Sequence, residues 1–181
     1  MVFSEESDAR KVLEVLPKWF EKYGLRLHPE KTRLVPFQRP IENQRQGEGK
    51  SKNVPPEVFD LLGFTHYWGK SRKGIWIIKR KTASSRFTRA LRKVVDWCRK
   101  NRHLPVGEQQ KALGAKLRGH YGYYGITNNS AMLGNFLYNV RRGWQKWLSR
   151  RSGHGRLKRD KFAELYERYA LPLPKIRPRP L

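Results

Sequence analysis

A helical pattern opens the chain. The helix predicted here spans residues 4–23, because apolar side chains recur at steps of three and four: Ala9, Val12, Leu16, Phe20 and Tyr23. Ser4 or Ser7 suits the N-cap position, and Gly24 suits the C-terminal end. Pro17 removes one backbone hydrogen bond and should bend this helix.

Short β patterns follow the first helix. The stretch LRLHPEKTRLVPF (25–37) predicts a strand, a turn at His28-Pro29 and a second strand at Lys31–Val35. Residues 38–57 are polar and contain Gly and Pro, which predicts a loop or flexible insertion. The stretches FDLLGFTHYWG (59–69) and IWIIKRK (75–81) flank KSRKG, which predicts a β-hairpin.

After Lys81 the hydrophobic period changes from two residues to 3.6. The first helix there has an apolar face from Phe87 to Cys98 and Thr82 or Ser84 as its cap. A second helix is predicted from about Gly107 to Tyr124. Asn128-Asn129-Ser130 caps a third, whose stripe is Leu133, Phe136, Leu137, Val140, Trp144 and Trp147. A fourth helix spans Lys158–Tyr169.

These patterns predict an α+β protein in three parts. Residues 1–81 form a small mixed part that contains the loop 38–57, and residues 82–171 form a basic bundle of three or four helices. Residues 172–181 form a proline-rich, extended tail.

The net charge of the chain indicates which class of molecule it binds. The chain has 181 residues, with 40 Lys and Arg against 15 Asp and Glu, a formal net charge of +25. Such an excess destabilises a compact state unless a polyanion binds it, and nucleic acid is the polyanion we expect. Membrane lipid is the weaker alternative, because no apolar run approaches the roughly 20 residues that span a bilayer. With one cysteine, Cys98, and no signal peptide, an intracellular protein fits.

Motifs for catalysis or metal binding do not emerge from the sequence. The aspartates are scattered, without Asp-Asp or Asp-x-Asp, and the histidines lack metal-ligand spacing. The sequence contains neither a phosphate-binding P-loop nor a Gly-x-Ser-x-Gly motif. We therefore predict no catalytic residue and no metal ligand in this chain.

Basic residues concentrate in and after the third predicted helix of the bundle. Arg142 and Lys146 lie four residues apart, as do Lys146 and Arg150, opposite the apolar stripe. A run of charges is ordinarily a solvated face, but almost no acidic residues alternate with these bases, which favours phosphate contact. The predicted RNA-binding residues in this region are Arg141, Arg142, Lys146, Arg150 and Arg151.

The stretch LRGHYGYYGI (117–126) mixes aromatic, basic and glycine residues. Tyr121 and Tyr124 follow the apolar spacing and should be core or half-core, with their hydroxyls at the rim. Tyr123, His120 and Arg118 are candidates for stacking on bases or for sugar and phosphate contacts. For Tyr123 a core position is an equal alternative, and the glycines either allow close approach or end the helix.

A further cationic seam lies where the hairpin joins the helices. A duplex lying across both parts would contact it, and its residues are Lys79, Arg80, Lys81 and Arg86.

Four stretches, in this order, resemble the group II intron-encoded reverse transcriptase/maturases of bacteria: GLRLHPEKTRLVPF, FDLLGFTHYWGKSRKG, RNRHLPVGEQQ and LRGHYGYYG. The resemblance implies that the first part is the truncated end of the polymerase palm. It implies that Leu61, Leu62, Gly63 and Phe64 look like the primer grip, which supports the end of the nucleic acid. The helices then look like the thumb, or maturase-specific domain X.

The family's polymerase site carries Tyr-x-Asp-Asp, which this sequence lacks. We therefore expect the chain alone not to polymerise DNA, and expect magnesium with the RNA or with the missing palm site. The resemblance implies a bacterial, cytoplasmic protein whose partners are structured intron RNA and an RNA/DNA duplex. Two alternatives stay open. One is a polymerase fragment that works only with an upstream palm chain, and the other is a general RNA-packing protein.

Overall fold

The computed structural model describes residues 1–29, 32–40, 58–151 and 157–177. The chain divides into two compact units, Met1–Glu57 and Val58–Leu181. The second unit groups the strands with the helices that follow them.

In the described part of the first unit, helix α1 (Glu6–Glu21) is the regular structure. Its N-cap is Glu5, without a side-chain hydrogen bond, so the predicted capping by Ser4 or Ser7 is wrong. Gly24 has φ +68°, and the amides of Gly24 and Leu25 donate to the carbonyls of Glu21 and Phe20. This pair of bonds is a Schellman ending, in which glycine adopts the left-handed conformation without a Cβ penalty. Pro17 lies inside the helix.

The strand pair predicted within residues 25–35 is wrong where it can be compared, because residues 25–28 and 32–40 contain no strand. A two-stranded ribbon is marginally stable in water without a further strand or a helix against it. The rest of this prediction, and the loop predicted at 38–57 from residue 41 onward, lie outside the described residues.

A three-stranded antiparallel sheet opens the second unit. Its strands are β1 (Phe59–Leu61), β2 (Phe64–Lys70) and β3 (Trp76–Thr82), in that order. The predicted hairpin is confirmed as β2–β3. The predicted continuous strand at 59–69 is wrong, because a turn at Leu62 (φ 50°) and Gly63 (φ +81°) divides it. Two successive positive φ values are typical of a tight two-residue hairpin turn, which matches the twist of the flanking strands.

Four helices follow the sheet, as predicted: α2 (Ser84–Lys100), α3 (Val106–Tyr124), α4 (Ser130–Leu148) and α5 (Arg159–Arg168). Ala83 is the N-cap residue of α2, so neither Thr82 nor Ser84 caps it. Asn129 takes the N-cap position of α4 but makes no capping bond there. An α+β class is therefore confirmed.

The core lies between these helices. It is lined by buried apolar side chains, chiefly Leu113, Leu117, Leu133, Phe136, Val140, Trp144 and Phe162. A Cβ on Gly143 would lie 2.8 Å from Cγ2 of Val95, so glycine permits the close approach of α4 to α2. Trp144 donates from Nε1 to Oε1 of buried Gln109 over 2.9 Å, which satisfies both groups.

Residues 170–177 pack along α3. The Gln110 side chain donates to the carbonyl of Ala170, Leu171 is buried, and the amide of Arg177 donates to the carbonyl of Gly125 over 2.7 Å. The described part of the predicted tail therefore lies on the bundle, while residues 178–181 lie outside the described residues.

Candidate nucleic-acid interface

The outer face of α4 carries exposed cations backed by aromatic rings. The Arg142 guanidinium lies 5.7 Å from the ring centroid of Tyr138, and Lys146 Nζ lies 5.6 Å from that of Trp147. On the opposite face, Val140 and Trp144 are fully buried. The helix thus presents core on one side and cations on the other, as its sequence predicts.

Arg150 reaches the same face by a different route. Helix α4 ends at Leu148, so helical periodicity does not position Arg150. Its guanidinium instead lies 5.3 Å from the ring centroid of Trp147. Lys146 and Arg150 therefore both lie beside the Trp147 ring. We call Arg142, Lys146 and Arg150 the α4 cation row.

No carboxylate in the described part of the chain forms a salt bridge with the α4 cation row. The second unit has one such pair in that part, Arg99–Asp96, at 3.9 Å within α2. Cations held close together without anions create a positive potential that attracts phosphates.

Two of the predicted basic residues also have structural contacts. The Arg141 guanidinium lies 4.1 Å from the ring centroid of Tyr166 and 5.7 Å from that of Phe162, which ties α4 to α5. Arg151 donates from Nη2 to the carbonyl of His103 over 3.1 Å. These two residues therefore differ from the α4 cation row, because Arg141 contacts α5 and Arg151 contacts the carbonyl of His103.

The four residues of the predicted cationic seam do not share one surface. Lys79 and Lys81 lie on one face of β3, and Arg80 lies on the other, opposite His66. Arg86 lies at the turn between β1 and β2, where its Cγ would be 3.7 Å from a Cβ on Gly63.

Tyr123 joins α3 to that turn. Its hydroxyl donates to the carbonyl of Leu62 over 2.7 Å, and its ring stacks on Phe64 at 5.7 Å between centroids. Its side chain is still 55% exposed. The Tyr124 hydroxyl would lie 3.0 Å from a Cβ on Gly63, so the turn residue must be small as well as left-handed. The primer-grip-like residues 61–64 are thus held against α3.

His120 lies within an aromatic cluster. Its ring stacks on Phe136 at 3.9 Å between centroids and contacts Tyr124 at 4.7 Å. Its Nε2 is buried without a hydrogen-bond partner among the described residues. Burial lowers the pKa of His120 to about 4, so the ring is neutral near pH 7. Arg118 is exposed and folds back along α3 toward Gly114.

The sequence did not predict the positions that two residues, Tyr67 and Asn129, take in the structure. Tyr67 lies on the same sheet face as Lys79 and Lys81, and the stretch 59–69, rich in aromatic residues, did not indicate which face it would take. Asn129 looked like a helix cap, yet its buried side chain bonds to the end of β3.

The described residues offer neither a metal-binding cluster nor a membrane-spanning helix. They contain no group of three or more His, Cys, Asp or Glu that could hold a metal ion. None of the helices in this part of the chain has the length and apolar character needed to cross a bilayer.

A comparison with known families matches part of the chain to a family model. Residues 87–166 match the family model described as "Group II intron, maturase-specific domain". The match begins in α2 and ends in α5, so it contains the α4 cation row. It confirms the resemblance for the C-terminal part of these maturases. No curated protein and no solved structure matches the chain.

Proposed function

We propose that this chain, whose residues 87–166 form a group II intron maturase-specific domain, binds group II intron RNA through the α4 cation row. The domain implies a role in splicing of such introns. In this proposal the protein performs no bond-making step. It stabilises the active fold of the RNA, and the RNA carries out the splicing reaction.

The observation that carries the proposal is the α4 cation row itself, which is exposed, held against aromatic rings and without carboxylate partners among the described residues. Contact with the Tyr138 and Trp147 rings restricts the long side chains before RNA arrives, which reduces the entropy lost on binding. Arginine can then contact a phosphate through two parallel N–H groups, while lysine contacts it as a compact charge. These contacts position the RNA backbone and read no base sequence.

In this proposal magnesium is held by the RNA or by a polymerase palm site, as the resemblance to the maturases implies. The protein's own contribution is neutralisation of phosphate charge, which releases condensed counterions from the RNA.

A second role, gripping a template–primer duplex, has support from the turn held against α3 by Tyr123. It applies to a protein that also has the palm with its Asp dyad. Adding an upstream palm fragment to this chain and measuring primer extension tests it. A failure to extend would remove this role and leave the intron-binding proposal intact.

The direct test replaces Arg142, Lys146 and Arg150 together by Gln. Each lost phosphate contact should reduce the slope of log affinity against log salt by about 1, so the slope should fall by about 3. A control variant with Lys18, Lys22 and Arg26 changed to Gln removes the same charge from exposed positions in the first unit. Equal effects of the two variants would overturn the assignment to α4.

Intron RNA and an unrelated structured RNA of equal length should compete unequally for the wild-type protein. Equal competition would identify a general RNA-packing protein instead, because phosphate contacts that are not matched to the fold of one RNA give equal affinities.

A further inference from the structure

We propose that one face of the β-sheet is a separate binding surface for single-stranded RNA, with Tyr67 as its stacking residue. The lysine face consists of Thr65, Tyr67, Gly69, Ile77, Lys79 and Lys81. This proposal rests on the RNA-binding function proposed above. It adds a second RNA-binding surface, which lies on the sheet instead of α4 and binds unpaired RNA.

Strand register places the members of the lysine face together. Tyr67 lies directly opposite Lys79, with Thr65 opposite Lys81 and Gly69 opposite Ile77 on the neighbouring rungs of the same face. Side chains alternate between the two faces of a sheet, so these six share one side. Tyr67 on β2 therefore has Lys79 directly opposite and Lys81 diagonal to it on β3.

Both lysines bend toward the β2–β3 turn. Lys81 Nζ lies 5.2 Å from the ring centroid of Tyr67. Lys79 crosses over Gly69, where a Cβ would lie only 2.8 Å from its Cδ. The absence of a side chain at Gly69 thus leaves room for the Lys79 stem, while the Lys81 ammonium lies over the Tyr67 ring.

Charge on this face is predominantly positive. Its neighbouring strand contributes Asp60, whose carboxylate accepts a hydrogen bond from the Thr65 hydroxyl. In the part of the chain that the structure describes, neither Lys79 nor Lys81 forms a salt bridge. Two cations without anions beside an aromatic ring complement a polyanion that also carries flat rings.

The Tyr67 ring, which needs a base with a free face, favours an unpaired strand over a duplex. Lys79 and Lys81 are two residues apart on a β-strand, a rise of about 6.8 Å. This spacing is comparable to that between neighbouring phosphates of an extended nucleic-acid strand. A phosphate that binds Lys81 would draw its ammonium from the Tyr67 ring and uncover that ring for a base. Bases within a duplex are already stacked, so only an unpaired base can use it.

The opposite face of the sheet supplies a matched comparison. There Lys70 Nζ lies 5.4 Å from the ring centroid of Trp76, a lysine–aromatic pair much like Lys81 and Tyr67. Replacing Lys70 or Lys81 by Gln removes the same charge from the same sheet. A difference between the two variants therefore reports the face and not the net charge.

The test measures fluorescence anisotropy of a short labelled uridine oligonucleotide, free or annealed to its complement, with the full chain. We expect Tyr67→Leu to weaken binding of the free strand about 5- to 100-fold, as stacking on one base predicts. Tyr67→Phe keeps the ring and should bind as the wild type does. Lys81→Gln should weaken binding more than Lys70→Gln does.

Normal oligonucleotide binding by Tyr67→Leu with an unchanged melting temperature would overturn the proposal, as would equal losses from Lys70→Gln and Lys81→Gln. If Tyr67→Leu fails to fold, crosslinking of wild-type protein to a 4-thiouridine strand decides, because the crosslinked peptide must contain Tyr67. The α4 triple variant separates the two proposals, since it should lose intron RNA and still show the Tyr67-dependent binding of the free strand.

Discussion

Asn129 and Thr82 form a reciprocal buried pair across 47 positions of sequence. The Thr82 amide donates to Asn129 Oδ1, and Asn129 Nδ2 donates to the Thr82 hydroxyl, each over 2.9 Å. Asn129 Nδ2 also donates to the carbonyl of Tyr124 over 2.8 Å. One side chain therefore fixes the end of β3 to the junction of α3 and α4.

Replacing Asn129 by Ala should lower the free energy of unfolding by about 2–4 kcal/mol, because it leaves the buried amide of Thr82 and the carbonyl of Tyr124 without this partner. Asn139→Ala is the matched control, since Asn139 donates only to the carbonyl of Asn135 in its own helix. Chemical denaturation measures both. Similar losses in the two variants would contradict a role for the buried pair.

Gly125 and Gly122 should respond oppositely to alanine. A Cβ on Gly125 would lie 2.4 Å from the carbonyl oxygen of Tyr121 and 2.6 Å from that of Lys175, both backbone atoms. Gly125→Ala should therefore cost about 1–3 kcal/mol of stability. Gly122 is exposed on α3 with open space around it, so Gly122→Ala should stabilise by up to about 1 kcal/mol. Thermal unfolding of both variants decides, and equal shifts would argue against packing of residues 170–177 on α3.

His120 should make stability depend on acid pH. Burial lowers its pKa from 6.5 to about 4, so between these values the unfolded chain binds a proton that the folded protein does not. Stability contributed by the neutral ring is complete above pH 6.5 and is lost as pH falls toward 4, by roughly 3 kcal/mol. Unfolding free energies across this range should fall less for His120→Leu than for the wild type. Parallel curves would mean that His120 does not titrate in this way.

Tyr123→Phe isolates the bond from α3 to the Leu62 carbonyl. It keeps the ring that stacks on Phe64 and removes the donor, so stability should fall by about 0.5–1.5 kcal/mol. Tyr138→Phe is a control at similar exposure on α4. The same samples should be tested with intron RNA. Weaker RNA binding without lost stability would assign the Tyr123 hydroxyl to the RNA instead.

The sequence determined much of this architecture because local patterns encode it. A period of 3.6 residues located all four helices of the bundle, and the Asn128–Ser130 segment marked the start of α4. Alternating and aromatic residues located the β2–β3 hairpin, and the charge excess indicated a polyanionic partner. Each of these follows from residue spacing or composition, which needs no knowledge of distant contacts.

Only the tertiary structure decided the roles of individual side chains. Arg142 and Arg141 are neighbours in sequence, yet one faces outward beside Tyr138 and the other packs on α5. His120 lies in an aromatic cluster, and the Asn129 side chain makes a buried hydrogen bond to Thr82 instead of a helix-capping bond. Burial and hydrogen-bond partners come from residues far apart in the chain, so a local pattern fixes the secondary structure but leaves each side chain's partner undetermined.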